Sequence, residues 1–326
     1  MAEQLNYVSA VNAALHRAMR GSSDAILFGE DVAKPGGVFG ATKGLHLDYG
    51  RRVFDTPISE AAILGAAVGA ALRGKRPIVE IMWADFALVA LDQLVNQAAN
   101  VRYLSNGSQC APITVRMQQG HLPGSCAQHS QCLEAFFAHV PGLHVAMPAT
   151  PEDAFHLLLT AIATNDPVIV IEHRGLYFGP KAEVTTEGPV QPIGGAVVRR
   201  PGRDVTVVSW GAMLHRTLDA AELAATEGVE VEVIDPRWLS PFDVETVVAS
   251  VSRTSRAAVV HEANVTGGFG AEVVARVSDA AFHDLDAPIA RIGLPDVRVP
   301  AAPHLQQAVV PSPRSIADAI VELCRR

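Results

Sequence analysis

The sequence predicts an α/β protein of two domains, each organised around a parallel sheet. Three observations carry this prediction. The chain has 326 residues, and at about 150 residues per domain that length suggests two domains. Short apolar runs alternate with segments of helical period along the whole chain. The apolar runs are continuous rather than alternating, which marks strands covered on both faces.

The elements follow in order. Val8, Val11, Leu15 and Met19 recur at helical spacing, so the first segment reads as an amphipathic helix. Asp24 to Phe28 is a buried strand that turns at Gly29-Glu30-Asp31. Residues 34–52 hold five glycines and read as a long loop. Val53 to Ile58 is strand-like, with Pro57 breaking it. Ser59 is a good N-cap for a helix to Leu72. That helix carries small apolar residues on every face, which predicts burial and close approach of another backbone. Strands are expected at Arg76–Met82, Ala111–Arg116, Leu143–Met147 and Val168–Ile171, with helices at 86–99 and 151–163. Residues 178–204 are rich in Pro and Gly and read as a linker, with a boundary near residue 190. Strands then resume at 205–209, 229–234 and 257–261, each followed by a helical segment.

Composition excludes several classes. Charged residues are 18% of the chain, below the roughly 25% of an average soluble domain. The net charge is −8, without a long basic run, which argues against nucleic-acid binding. The sequence is too apolar for disorder. Four cysteines, Cys110, Cys126, Cys132 and Cys324, make no disulfide framework, and free thiols point to a reducing compartment. No run of apolar residues is long enough to span a membrane. The opening MAEQLNYVSA lacks a basic region and an apolar core, so a cytoplasmic protein is expected.

Motifs narrow the chemistry. There is no P-loop, nucleophile elbow or H-E-x-x-H. Gly267-Gly268-Phe269-Gly270 follows a strand and opens a helix. It could bind phosphate, but tight-turn packing is the stronger reading. Glu60 sits in the first turn of the small-residue helix, among apolar neighbours. A structural acid at a helix N-terminus is one reading. The other is proton transfer, because burial raises a carboxyl's pKa. Glu30 lies at a strand end, where α/β sheets bind ligands. His129 follows a Gly-containing loop, and lone histidines are usually structural. Met82, Trp83 and Phe86 read as core residues by pattern.

Several stretches together resemble one family. They are Gly29-Glu30-Asp31-Val32, Gly36-Gly37-Val38-Phe39, Arg52 to Glu60, Gln128-His129-Ser130-Gln131, Phe137 to Leu143, Glu232-Val233-Ile234-Asp235, His261-Glu262-Ala263 and Thr266 to Glu272. In this order they resemble the β subunit of the thiamine-diphosphate-dependent, decarboxylating first component of 2-oxo acid dehydrogenase complexes. The resemblance covers nearly the whole chain. It implies an N-terminal pyrimidine-binding, transketolase-like domain over 1–185, a linker over 186–203 and a transketolase-C-type domain over 204–326.

The resemblance also implies roles. Glu60 matches the glutamate that hydrogen-bonds N1′ of the aminopyrimidine. Met82 and Phe86 match residues that pack against that ring. His129 matches a histidine near the reacting carbon, and Glu30 an acid that links paired sites. An α subunit would supply the diphosphate and Mg²⁺ site through Gly-Asp-Gly, which is absent here. Two α and two β chains would form a heterotetramer serving a lipoyl-bearing acyltransferase core. The loop holding Ala161, Ile162, Thr164 and Asp166 resembles one that binds structural potassium, although members often have an acid where Thr164 stands. Met117 to Gly124 departs from the family, many of whose members have Arg, a small residue, Pro and Gly there; this bears on substrate identity. Gln128 resembles pyruvate or acetoin members. Acetoin dehydrogenase, a non-catalytic scaffold and a self-contained transketolase-like enzyme are the competing readings. Glu60 and His129 argue against the scaffold, and the missing Gly-Asp-Gly against the last.

Overall fold

A computed structural model describes residues 2–326, and the chain divides into two compact units. The first comprises residues up to Gln119 together with Phe136–Ile193; the second comprises Gly120–Ala135 and Gly194–Arg326.

Six strands of the first unit form a parallel sheet. In spatial order they are His144–Ala146, Val168–His173, Thr114–Gln119, Arg76–Ile81, Ala25–Gly29 and Val53–Asp55. The inner strands are buried along nearly their whole length, which is why their sequences lack the alternation of a half-exposed sheet. Helix Tyr7–Gly21 packs on helix Pro151–Ala163. Its buried set is Tyr7, Val8, Ala10, Val11, Ala14, Leu15 and Met19, the stripe that the 3.6-residue period predicts. Asn6 caps it, accepting from the Ser9 amide at 3.0 Å.

Three charged side chains interrupt the apolar strands of this sheet, all within its core. Arg116 donates to Glu80 at 2.6 Å and to both oxygens of Glu172 at 2.7 and 2.8 Å. All three side chains are 3% exposed or less. The Tyr177 hydroxyl closes on the same Glu172 carboxylate. Burial alone would suppress the Arg116 charge. The two glutamates outweigh it and hold the guanidinium well above its ordinary pKa.

The second unit carries a sheet ordered Ala290–Leu294, Ala257–Asn264, Val205–Ser209, Val231–Asp235, Val197–Arg200. The first four are parallel and the last is an antiparallel edge. Helices Ala212–Ala225 and Pro313–Cys324 pack together. Inside this unit His261 is fully buried and stacks on Trp210 at 5.5 Å with an interplanar angle of 1°. Neither ring nitrogen finds a partner among the described residues. Burial, helped by Arg291, pushes its pKa down to about 4. A Cβ on Gly268 would lie 2.7 Å from this ring, and one on Gly270 2.5 Å. The Gly-Gly-Phe-Gly turn therefore makes room for His261, which is the packing reading of that motif.

Some expectations change. The loop expected over 34–52 contains a short helix, Leu45–Tyr49, and a turn of 3-10 helix, Gly50–Arg52. The segment read as linker over 178–204 contributes two strands, one of them within 186–203. Ala182–Thr185 pairs antiparallel with Ala2–Leu5, and Val197–Arg200 joins the second sheet. Edge strands need only one paired side, so Pro and Gly nearby do not prevent them. The expected first domain, 1–185, includes residues 120–135, but here these belong to the second unit. Hydrogen bonds explain this. His121 donates its amide to Glu262 at 2.7 Å, Gly124 donates to the Ala301 carbonyl at 3.1 Å, and Gln306 donates to the Leu122 carbonyl at 2.9 Å.

Two outcomes are expected. Arg116→Met leaves two buried carboxylates without an opposite charge and should cost roughly 3–5 kcal/mol in urea unfolding; a loss below about 1 kcal/mol would contradict the buried network. His261 binds its proton less readily folded than unfolded. Stability should thus be full above pH 6.5 and fall toward pH 4, by up to roughly 3 kcal/mol. His261→Phe should flatten that part of the thermal-unfolding profile, whereas identical slopes in the two chains would contradict the assignment.

Candidate active site

In the first unit the strands run parallel, so their carboxyl ends share one edge of the sheet. The chain leaves the strand Ala25–Gly29 for its neighbour Val53–Asp55 on one side, then for Arg76–Ile81 on the other. Such a reversal of strand order opens a ligand-binding crevice. Glu30 follows the first of these strands, Thr56 and Glu60 the second, and Met82, Trp83 and Phe86 the third.

Local backbone chemistry fixes the acid. A Cβ at Gly29 would lie 2.6 Å from the Glu80 carbonyl oxygen, so only glycine permits this approach just before Glu30. Asp31 adopts φ +56, a left-handed conformation that Asp tolerates. Its carbonyl accepts from the Gly37 amide at 2.8 Å, and the Thr56 amide donates to Gly29 at 2.9 Å. The Asp55 carboxylate accepts from the Ala33 amide at 2.7 Å. The turn carrying Glu30 is thus tied to the neighbouring strand end.

Glu60 is the first residue of helix Glu60–Leu72 and is buried, 9% exposed. Ser59 occupies the N-cap position, but its side chain makes no capping bond. Glu30 Oε1 and Thr56 Oγ1 are buried without hydrogen-bond partners among the described residues. Burial first, then the nearby Glu60 and Asp31 charges, raise the Glu30 pKa. A carboxyl whose pKa is raised in this way can hold and pass a proton. Met82 and Phe86 are half-buried, so each keeps an accessible apolar surface that a core residue would lack. Beside them Arg174 stacks its guanidinium over Trp83 at 3.8 Å, and Trp83 meets Phe39 edge-on at 5.5 Å. The donor set at this edge is a buried carboxyl, orphaned polar atoms and half-exposed apolar side chains. It suits a flat, partly polar ring with a protonatable nitrogen.

The other expected residues stand on other segments. His129 is half-buried in the segment Gly120–Ala135 of the second unit, where its amide donates to the Cys126 carbonyl at 3.5 Å. The helix after Glu60 is not buried all round: Ala62, Ala66, Gly69 and Leu72 are exposed. They fall on one face by helical spacing. At the loop read as a potassium site, the Arg76 guanidinium occupies the carbonyls of Ile162 and Thr164 at 3.1 and 3.0 Å, and Arg102 engages Asp166 at 2.6 Å. A fixed cation already stands at the Ile162 and Thr164 carbonyls, so these two do not fit a bound ion.

Pattern reading missed Arg174 and the Glu80–Arg116–Glu172 network beneath the site. A signal existed: each of these charges sits in or directly after a continuous apolar strand, where an unpaired charge would be prohibitively costly. Glu30→Gln tests the strain at the crevice. The raised pKa means that Glu30 opposes folding once pH exceeds its ordinary value of 4.5. The substitution should raise the thermal midpoint at pH 7, with the gain vanishing below about pH 4.5. A lowered midpoint at pH 7 would contradict this picture.

Comparison with known proteins gives the family. Residues 3–180 match the family described as transketolase, pyrimidine binding domain, and residues 194–316 match transketolase, C-terminal domain. The acetoin:2,6-dichlorophenolindophenol oxidoreductase subunit beta of Cupriavidus necator is 42% identical over 98% of this chain and 97% of that protein. The 2-oxoisovalerate dehydrogenase subunit beta of Bacillus subtilis is 40% identical over 98% of each. The pyruvate dehydrogenase E1 component subunit beta of the same organism is 40% identical over 91% of this chain and 92% of its own length. Among solved structures, a split gene transketolase described as an inactive beta4 tetramer superposes with a TM-score of 0.78 at 21% identity. It covers 98% of this chain and 99% of its own. The chain belongs to the transketolase-like family of β subunits of the 2-oxo acid dehydrogenase first component, which includes the pyruvate, branched-chain and acetoin types.

Proposed function

We propose that this chain, paired with an α subunit, catalyses thiamine-diphosphate-dependent oxidative decarboxylation of a 2-oxo acid, with pyruvate favoured. The acyl group is passed to lipoyl groups on an acyltransferase core. The observation that carries the reading is the buried Glu60 at a helix start, beside the unpartnered Glu30 and Thr56 oxygens at the switch point of the sheet. These residues fit an aminopyrimidine: a carboxyl for its ring nitrogen, and Met82 and Phe86 for its apolar faces. When bound, thiamine diphosphate supplies a nucleophilic carbon and an electron sink for the electrons released with CO₂.

The chain's own contribution is positioning and proton control. Glu60 holds the proton at N1′, and Glu30 shares that proton inventory and links it to a paired site. Met82 and Phe86 orient the ring and exclude water from its face. His129 moves protons near the reacting carbon and assists acyl transfer. The α subunit supplies the Mg²⁺ and diphosphate site, since Gly-Asp-Gly is absent here.

The exposed surface supports assembly as two α and two β chains. Ala62, Ala66 and Gly69 present a face that another backbone can approach closely. Ile58 is 82% exposed and Val89 68%. A cleft of about 300 Å³ lined by Phe28, Phe54, Ala62, Ile63 and Ala66 adjoins them. Uncovered apolar surface of this kind marks a subunit contact. No helix among the described residues is long and apolar enough to cross a membrane, which is consistent with work in the cytoplasm.

Acetoin dehydrogenase is the second reading, favoured by the 42% identical acetoin-type relative. One experiment tests both. The chain is co-expressed with its α partner and assayed with pyruvate, branched-chain 2-oxo acids and acetoin. Glu60→Ala should reduce turnover by at least about a hundredfold while the heterotetramer survives on gel filtration. Full activity of the variant would refute the role of Glu60, and preference for acetoin would select the second reading.

A further inference from the structure

The helix Pro151–Ala163 ends on carbonyls that turn toward a single cation. Helix C-termini leave their last carbonyls without intrahelical donors and carry partial negative charge. Here Arg76 answers them. Its Nη1 lies 3.1 Å from the Ile162 carbonyl, 3.3 Å from Ala163 and 3.0 Å from Thr164. Its Nη2 lies 2.5 Å from Asn165 Oδ1. Other groups of the turn are also engaged. The Ala161 carbonyl accepts from the Thr164 amide at 3.2 Å, and the Asp166 carboxylate takes Arg102 Nε at 2.6 Å.

Arg76 reaches this turn from a fixed place. It opens the strand Arg76–Ile81, and its own amide donates to the Asp24 carbonyl at 2.9 Å. The sheet therefore delivers the guanidinium with little freedom left to lose. Three carbonyl oxygens converging on one point are the ligand type that a dehydrated potassium ion uses. A guanidinium and a metal cation cannot share that point. Both are positive, and the guanidinium nitrogen already sits at hydrogen-bond distance from the Ile162, Ala163 and Thr164 carbonyls, of which Ile162 and Thr164 belong to the expected ion site. Arginine also remains charged at all working pH values, so this cation is never lost.

We infer that the Arg76 guanidinium is a tethered substitute for a monovalent cation, and that this chain holds the Pro151–Ala163 terminus without potassium. The neighbouring loop then owes its order to one side chain rather than to the salt of the surroundings. Arg76 is a positioning residue in this role and touches no reacting atom. The inference stands on the geometry of this turn and does not depend on which substrate the enzyme takes.

Thermal unfolding of the full chain in potassium, sodium and choline chloride at matched ionic strength tests it. The natural chain should unfold at the same temperature in all three salts. Arg76→Met should lower the midpoint by roughly 5 °C in choline, and potassium should restore part of that loss with a saturable dependence. Arg76→Lys keeps the charge but loses the fork of donors, so it should lose less than the Met variant. A saturable, potassium-specific rise in the midpoint of the natural chain would overturn the inference, and that measurement needs no variant to fold. So would an Arg76→Met chain as stable in choline as the natural one.

Discussion

The paired guanidinium of Arg116 is the constraint on which the first unit rests. Removing a charge from water costs several kcal/mol even after the protein relaxes. Two carboxylates and one guanidinium lie in the sheet core, so the cost is large unless every group is paired. The pairing is complete on Arg116, which bonds Glu80 once and Glu172 twice. One negative charge remains in excess, and burial raises the Glu80 pKa so that the cluster can take up a proton. The geometry ties three adjacent strands to one register, because a slip of one residue would send these side chains to the opposite face.

The network extends from the core toward the crevice. Tyr177 bonds Glu172, stacks on Tyr7 at 5.7 Å and meets Phe39 edge-on at 5.8 Å. Phe39 in turn packs on Trp83, which lies under Arg174. Residues flanking Met82 and Phe86 are thereby anchored to the ion pairs below. The site edge is packed against this ion-pair cluster. Its own polar atoms, Glu30 Oε1 and Thr56 Oγ1, are left unsatisfied. This contrast between the paired Glu80–Arg116–Glu172 cluster and the unpaired oxygens of the crevice is what a binding site requires. It costs stability locally, and the paired sheet beneath supplies the margin.

The low charge content now has a structural counterpart. Exposed Ile58, Val89 and the face Ala62, Ala66, Gly69 and Leu72 are apolar surface without cover in the single chain. A solitary soluble protein would place charges there. A subunit can leave such a face apolar where a partner chain covers it. The opposite device operates at the end of helix Pro151–Ala163, where Arg76 brings the charge in covalently.

The sequence by itself determined the class of fold, most elements and the acid at the helix start. Continuous apolar runs specify parallel strands because both faces of such a sheet are covered. Motif order carried the family, because each stretch is read locally. Tertiary structure decided what depends on residues distant in the chain. Pattern could not show that Glu80, Arg116 and Glu172 meet, because strand order is set by sheet topology rather than by spacing. Nor could it show that residues 120–135 belong with the second unit, since the donors and acceptors that hold them lie at 262, 301 and 306. Arg76 and the carbonyls at 162–164 are separated by more than eighty residues. A loop sequence specifies which carbonyls converge, but only the folded chain decides which cation reaches them.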